Sequence, residues 1–252
     1  MHNATNSSFI IVSMPLPKKA AIIITSYNGP LYPDGMNTGA FLSEVYDPFK
    51  AYTDAGFEVD IVSETGKYGW DEHSLSPAFA PQEMIEASKN PENAFAKALA
   101  NIKKASATTA SDYGLVNVAG GHGTVFDFVG KAPGDAALAG TVYDNGGLVV
   151  AVCHGPCLLP DVFDKDGNHI VKGKQVTGFP DSGEIVMGLV ETLDKGNLAY
   201  TERVLKAAGA NYLEAAPPFD SKVVVDGRLV TGANPASATP AAETAIKLFG
   251  EL

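Results

Sequence analysis

The chain has 252 residues, 45% of them hydrophobic and 19% charged, with a formal net charge of −11. A chain of this length buries roughly 70–75% of its unfolded surface in one core. The acidic excess, with no block of Lys or Arg to offset it, excludes a phosphate-backbone partner such as nucleic acid, and no apolar run approaches membrane-spanning length.

Residues 1–18 read as a poorly ordered N-terminal extension: Phe9-Ile10-Ile11-Val12 is too short for a secretory core and no basic segment precedes it. Residues 19–252 read as one domain, because no long Gly/Ser- or Pro-rich linker interrupts them. A first strand is expected at 20–25, then a Gly/Pro/Asn-rich loop over 27–37. A helix follows over 38–55, stopping at Gly56, which Pro48 should kink or divide. Residues 57–62 alternate as a second strand. Residues 64–92 carry Gly66, Gly69, the lone Trp70 and several prolines, and read as an irregular insertion rather than core.

Further on, 92–104 has amphipathic helical spacing, and 113–119 is a third strand running into Gly120-Gly121-His122-Gly123. Residues 135–145 are expected to be helical, and 148–152 is an unbroken apolar strand. A hairpin turn is expected at 164–168, a short strand at 175–178, and a helix beginning near Ser182 or Gly183. Another helix covers 198–208. The runs 223–225 and 229–231, joined by Asp226-Gly227-Arg228, form a hairpin, and 236–250 closes the chain as a helix. Strands alternating with helices define an α/β fold with a mostly parallel sheet.

The chemistry concentrates at Cys153, at the C-terminal end of the strand 148–152 and just before the turn Gly155-Pro156. Ligands of open α/β sheets bind at the carboxyl ends of strands. A thiol above a helix start meets free N–H groups and the positive end of a dipole, which should lower its pKa. That is a nucleophile elbow with Cys in place of Ser. His154 follows directly, and an acid downstream, Asp181 or Glu184, would orient its ring. Glu184 is preferred, since Asp181 between Pro180 and Ser182 suits a helix cap. The Gly120–Gly123 loop either supplies N–H donors to an oxyanion or merely permits a tight turn. Glu44, two turns into its helix, could face the same crevice, although spacing alone favours a solvated position. Cys157 reads as a small apolar core residue rather than a disulfide partner of Cys153. Two cysteines in so long a chain fit a reducing compartment, hence a cytoplasmic protein. Neither a metal nor a cofactor is expected: the five histidines show no His-x-x-x-His pair, there is no Cys-x-x-Cys pair, and no dinucleotide or phosphate-loop fingerprint occurs.

Several long stretches together resemble the ThiJ/PfpI (DJ-one/PfpI) superfamily, and within it the heat-shock chaperone-like glyoxalase III branch. They are Thr25-Ser26-Tyr27-Asn28, Thr38-Gly39-Ala40-Phe41 leading to Glu44, Val62-Ser63-Glu64-Thr65-Gly66-Lys67, and Gly69-Trp70-Asp71-Glu72-His73-Ser74. Gly121-His122-Gly123-Thr124, Ala151-Val152-Cys153-His154-Gly155-Pro156, Gly183-Glu184 and Thr231-Gly232-Ala233-Asn234-Pro235 complete them. The resemblance implies a flavodoxin-like three-layer sandwich of the class I glutamine amidotransferase type, usually a homodimer. It implies a triad of Cys153, His154 and Glu184, with Glu44 as a buried acid against the thiol. An ionised carboxylate there would raise the thiol pKa whereas a carboxyl that donates to the sulfur lowers it, so Glu44 is expected to be protonated near pH 7; Gly121 and His122 are expected at the oxyanion and substrate. The implied activity is cofactor-free conversion of methylglyoxal and water to D-lactate without glutathione, with holdase action on unfolded clients and a role in carbonyl and oxidative stress. A cysteine peptidase or amidase is the rival enzyme class. A glutamine amidotransferase is excluded, since no His follows His169. Two departures stand out: Cys157 replaces a common apolar residue, and Gly120 stands where Ala occurs.

Overall fold

The structure, a computed structural model, describes residues 15–252. Most of the expected 1–18 extension therefore lies outside the described residues. Of the rest, Lys18 extends the pairing of the first strand with the second, its carbonyl accepting the Glu58 N–H at 3.1 Å.

Seven strands make the central sheet: β1 (Lys19–Ile23), β2 (Glu58–Ser63), β3 (Lys103–Lys104), β4 (Leu115–Val118), β5 (Leu148–Val152), β6 (Val223–Asp226) and β7 (Leu229–Gly232). Their order is β6-β7-β5-β4-β1-β2-β3, parallel throughout except for the antiparallel β6–β7 hairpin. Alternate residues feed opposite faces. Leu148, Val150 and Val152 pack with α1 (Leu42–Asp54) and the closing helix, whereas Val149 and Ala151 pack toward Leu138, Ala139 and Val142. Both faces of the inner strands are thus covered, as a parallel sheet requires. The result is the three-layer α/β sandwich expected.

The helices are α1, α2 (Gln82–Lys89), α3 (Ala94–Ala100), α4 (Pro133–Asp144), α5 (Asp181–Met187), α6 (Thr201–Ala207) and α7 (Ala238–Phe249), with short turns of helix at Thr124–Asp127 and Val190–Lys195. Helix α1 starts four residues later than its spacing indicates. Asn37–Thr38 is consumed in a short ladder with Gly29–Pro30, and Ala40 bridges Trp70. Pro48 does not divide α1. The bond it forgoes is the one to the Glu44 carbonyl, one turn back.

The segment 64–92 is more than an irregular excursion. It forms α2 and buries Asp71, Ser74, Ala80, Met84 and Ala87, with Ala80 and Met84 joining the α1 side of the core. Met84 and Ala87 sit three apart on one helix face. The surrounding glycines and prolines obscure that short period.

One buried group is out of keeping with its surroundings. Asp135 on α4 is fully buried, and neither carboxylate oxygen has a hydrogen-bond partner among the described residues. Burial, with the charges of Glu64 and Asp127 nearby, pushes its carboxyl up to about 8. The native state then holds a proton that the unfolded chain releases near pH 4, so this group costs stability as pH rises from about 4 toward 8. An Asp135→Asn variant should lose that penalty. Its stability relative to wild type should improve by roughly 1.4 kcal/mol for each pH unit crossed within this window. Urea unfolding at a series of pH values checks it; parallel curves for the two proteins would show Asp135 charged when folded.

Candidate active site

At the carboxyl end of β5 the chain turns through Cys153, which adopts φ +60. Such a backbone conformation costs a β-carbon residue about 1–3 kcal/mol and persists only when the surroundings enforce it. Here the Cys153 N–H donates to the Gly232 carbonyl at 2.9 Å, and its own carbonyl accepts the Phe179 N–H at 2.7 Å. The next segment, Gly155–Asp161, is a 3-10 helix containing Pro156 and Pro160, not the α-helix expected. Gly155 lies against β4, where an added Cβ would stand 2.3 Å from the Val118 carbonyl oxygen.

The bend delivers the sulfur to His154, whose Nδ1 lies 3.3 Å from Sγ while Nε2 lies 2.8 Å from Glu184 Oε1. Glu184 sits in the first turn of α5 and is 2% exposed. An ionised carboxylate only accepts, so His154 Nε2 carries the hydrogen and Nδ1 faces the thiol as the bare nitrogen. Burial would raise the Glu184 carboxyl, but His122 and His154 beside it hold it well below the usual carboxylate range. Burial and the neighbouring His122 hold His154 down to about 4, against the pull of Glu184. The His154 ring also stacks on Phe179 at 4.5 Å. Asp181, the other candidate acid, neither touches His154 nor caps α5; its Oδ2 pairs with Arg203 Nε at 2.6 Å.

Glu44 is fully buried, not solvated. The ladder before α1 turns its side chain beneath the sheet end, where Oε2 accepts the Gly120 N–H at 2.8 Å and the carboxyl faces the sulfur. Burial pushes it up to about 8. The thiol departs from the sequence expectation. Burial, then the neighbouring Glu44, push Cys153 upward, while the N–H groups of Gly121 and His154 oppose them. The reason is that the sulfur is enclosed, at 4% exposure, above a short 3-10 segment rather than at an α-helix start. Cys153 therefore rests as a thiol, with the His154 imidazole 3.3 Å from its sulfur.

The glycine loop makes a tight turn that brings a backbone N–H toward the sulfur. Gly121 has φ +102 and a Cβ there would meet the Gly39 carbonyl at 2.3 Å, yet its N–H is also aimed at the sulfur. At Gly120 a Cβ would stand 2.6 Å from Glu44 Oε2, 2.7 Å from His154 N and 2.8 Å from Cys153 Cβ. Although the resembled family admits Ala at this place, the surroundings in this chain have closed around a glycine, so Gly120→Ala should cost about 1–3 kcal/mol of stability. Because it displaces Cys153, His154 and Glu44 together, it should also lower kcat about 10²-fold. Steady-state kinetics with thermal unfolding check this; a variant of unchanged activity would mean the site relaxes freely.

Around the sulfur lies a cavity of about 220 Å³, walled by Phe41, Phe79, Phe179, Met187 and Phe219, with Tyr32, His73, His122 and His154 as its polar members. A larger open trough of about 570 Å³ along α4 contains neither Cys nor His. His122, expected at the substrate, does line the cavity, but both ring nitrogens are engaged, Nε2 with Glu184 at 3.1 Å and Nδ1 with Tyr32 at 3.3 Å. Tyr32 and Asp71 behind it were not among the candidates. Asp71 carried a signal only as part of the Gly69–Ser74 stretch. Ligand-type atoms of His122, His154 and Glu184 lie within 4.8 Å of one another, close enough to share a metal ion, but they are occupied in hydrogen bonds to each other.

A parallel α/β sandwich with a buried Cys-His-Glu chain at a strained strand end is the class these features define. The DJ-1/PfpI family model matches residues 36–248, and the chain belongs to that family. It is 46% identical over 223 residues to the glutathione-independent glyoxalase HSP31 of Saccharomyces cerevisiae, covering 88% of this chain and 94% of the relative. Glyoxalase 3 of Candida albicans is 43% identical over 232 residues, 92% of this chain and 98% of that protein. The crystal structure of Candida albicans glyoxalase III superposes with a TM-score of 0.88 over 92% of this chain and 97% of that one.

Proposed function

We propose that this chain is a glutathione-independent glyoxalase III that converts methylglyoxal and water to D-lactate, with Cys153 as nucleophile. The observation that carries the reading is the Sγ–Nδ1 and Nε2–Oε1 chain of 3.3 and 2.8 Å opening on a small apolar cavity. As sulfur attacks the aldehyde carbon, its proton passes to His154 Nδ1. The oxygen takes up charge against the N–H groups of Gly121 and His154, donors of a kind typically worth about 3–4 kcal/mol each. Reprotonation gives a hemithioacetal. His154 then removes the hydrogen of the former aldehyde carbon, giving an enediol, and protonation at the adjacent carbon leaves a lactoyl thioester. Water, activated by the same imidazole, releases lactate and restores the thiol. The first carbon is oxidised and its neighbour reduced, so no external redox partner is needed. Glu44, neutral below about pH 8, keeps a second negative charge away from the sulfur.

Residues 19–252 act as one domain in this reading, with 64–92 as an insertion that supplies Asp71, His73 and Phe79 to the site. Among the described residues no helix is long and apolar enough to cross a membrane. A cytoplasmic homodimer protecting against carbonyl and oxidative stress is the setting we propose. A holdase role has one observation in its favour, the exposed apolar run Ile185, Val186 and Met187 with Phe79 and Phe219 nearby at the cavity mouth. A peptidase or amidase is disfavoured, because the cavity suits a few-carbon substrate.

The test is incubation of the purified chain with methylglyoxal in the absence of any thiol. Stoichiometric D-lactate is the expected product; methylglyoxal left unconsumed would overturn the reading.

A further inference from the structure

The proposed reaction uses one imidazole, yet the site contains two on one carboxylate. Glu184 takes His154 Nε2 at Oε1 and His122 Nε2 at Oε2, and the two rings lie 3.9 Å apart. On its other side His122 Nδ1 faces Tyr32 Oη at 3.3 Å. Tyr32 has one hydroxyl hydrogen and gives it to Asp71 Oδ2 at 2.6 Å, an oxygen that also accepts the Thr38 hydroxyl at 2.7 Å. Toward His122, then, the tyrosine oxygen can only accept. A ring that donates from both nitrogens is an imidazolium. His154 differs, since its Nδ1 must be bare to receive the thiol proton. Two buried imidazolium rings this close repel, so the pair keeps a single extra proton.

We propose that His122 is a positioning residue that carries the positive charge of this two-histidine pair, holding Glu184 ionised and leaving His154 as the neutral base for Cys153. The titratable groups facing His122 are Tyr32 from the loop after β1, Asp71 and His73 from the insertion, Cys153 and His154 after β5, and Glu184 from α5. His73 is occupied elsewhere, its Nε2 lying 2.8 Å from Asp34. The lowering of His154 to about 4, by burial and then by His122, runs in the same direction. Pairs of groups whose surroundings push their protonation apart divide acid and base roles between them.

Two measurements test this. Nitrogen-15 spectra of the histidine rings at pH 7 should show His122 protonated on both nitrogens and His154 on one. The reverse assignment, or two neutral rings, overturns the proposal. This arm is independent of the glyoxalase reading and stands even if no lactate is formed. The kinetic arm rests on that reading. His122→Gln keeps a donor toward Glu184 but no charge, so His154 should gain basicity and the acid limb of kcat/KM should move up by about one to two pH units. Tyr32→Phe, which removes the acceptor for Nδ1, should move it the same way by less. An activity loss in His122→Gln with the acid limb unmoved assigns His122 a packing or contact role and refutes the proposal.

Discussion

Replacing Cys153 with Ala is expected to abolish lactate formation from methylglyoxal. Every covalent step proposed runs through Sγ, so loss of the sulfur removes the pathway rather than slowing it. Catalysis surviving through the remaining donors and cavity should fall at least ~10³–10⁴-fold below wild type. Folding should be little affected. Alanine retains the β-carbon, and the bend at φ +60 is held by backbone bonds to Gly232 and Phe179. Cys157 offers no rescue: it is fully buried, with Sγ 3.3 Å from the Thr201 hydroxyl, and burial pushes its thiol up to about 12. The same variant separates enzyme from holdase. Suppression of client aggregation depends on exposed apolar surface, so Cys153→Ala should retain it in full. Residual lactate formation at the wild-type rate would remove Cys153 from the mechanism.

Glu184→Gln is the second large effect. The carboxylate accepts from two imidazoles, whereas an amide offers one acceptor and one donor. If its NH2 turns to His154, that ring must move its hydrogen to Nδ1, and the nitrogen facing the thiol can no longer take a proton. If its NH2 turns to His122, that ring loses its anionic partner, and the charge balance of the pair fails. Either way kcat should fall by about 10²–10⁴-fold with a much smaller change in KM. Initial-rate kinetics decide the matter. A variant with normal kcat would mean that His154 needs no carboxylate to set its tautomer.

The elements that place Cys153 and His154 at the sheet end were legible because they depend on short, strong patterns. An unbroken apolar run ending in Cys-His-Gly-Pro reads as a buried parallel strand with a cysteine at its tip. The β6–β7 hairpin follows from the apolar runs 223–225 and 229–231 joined by Asp226-Gly227-Arg228. Glu44 was not legible from spacing, because which face of α1 it occupies is decided by the Ala40–Trp70 bridge, thirty residues apart. Asp71 and Tyr32 were hidden for a similar reason: Tyr32, from the loop after β1, reaches His122, and Asp71, from the insertion, reaches Tyr32, only in the folded chain. The thiol was misjudged because sequence supplies the helix dipole but not the burial, and enclosure at Cys153 outweighs the two N–H groups aimed at it. Asp135 reads on paper as an ordinary first-turn acid of α4, and only its burial, with Glu64 and Asp127 nearby, makes it costly.

The claim on which all of this turns is that substrate becomes covalently attached to Cys153. Rapid quenching of the enzyme with methylglyoxal, followed by peptide mass spectrometry, reads it directly. A three-carbon adduct on the peptide carrying Cys153, located to that sulfur, should appear before free lactate and decay as lactate forms. Lactate accumulating with no adduct at any time, or with the adduct on Cys157, would contradict the account.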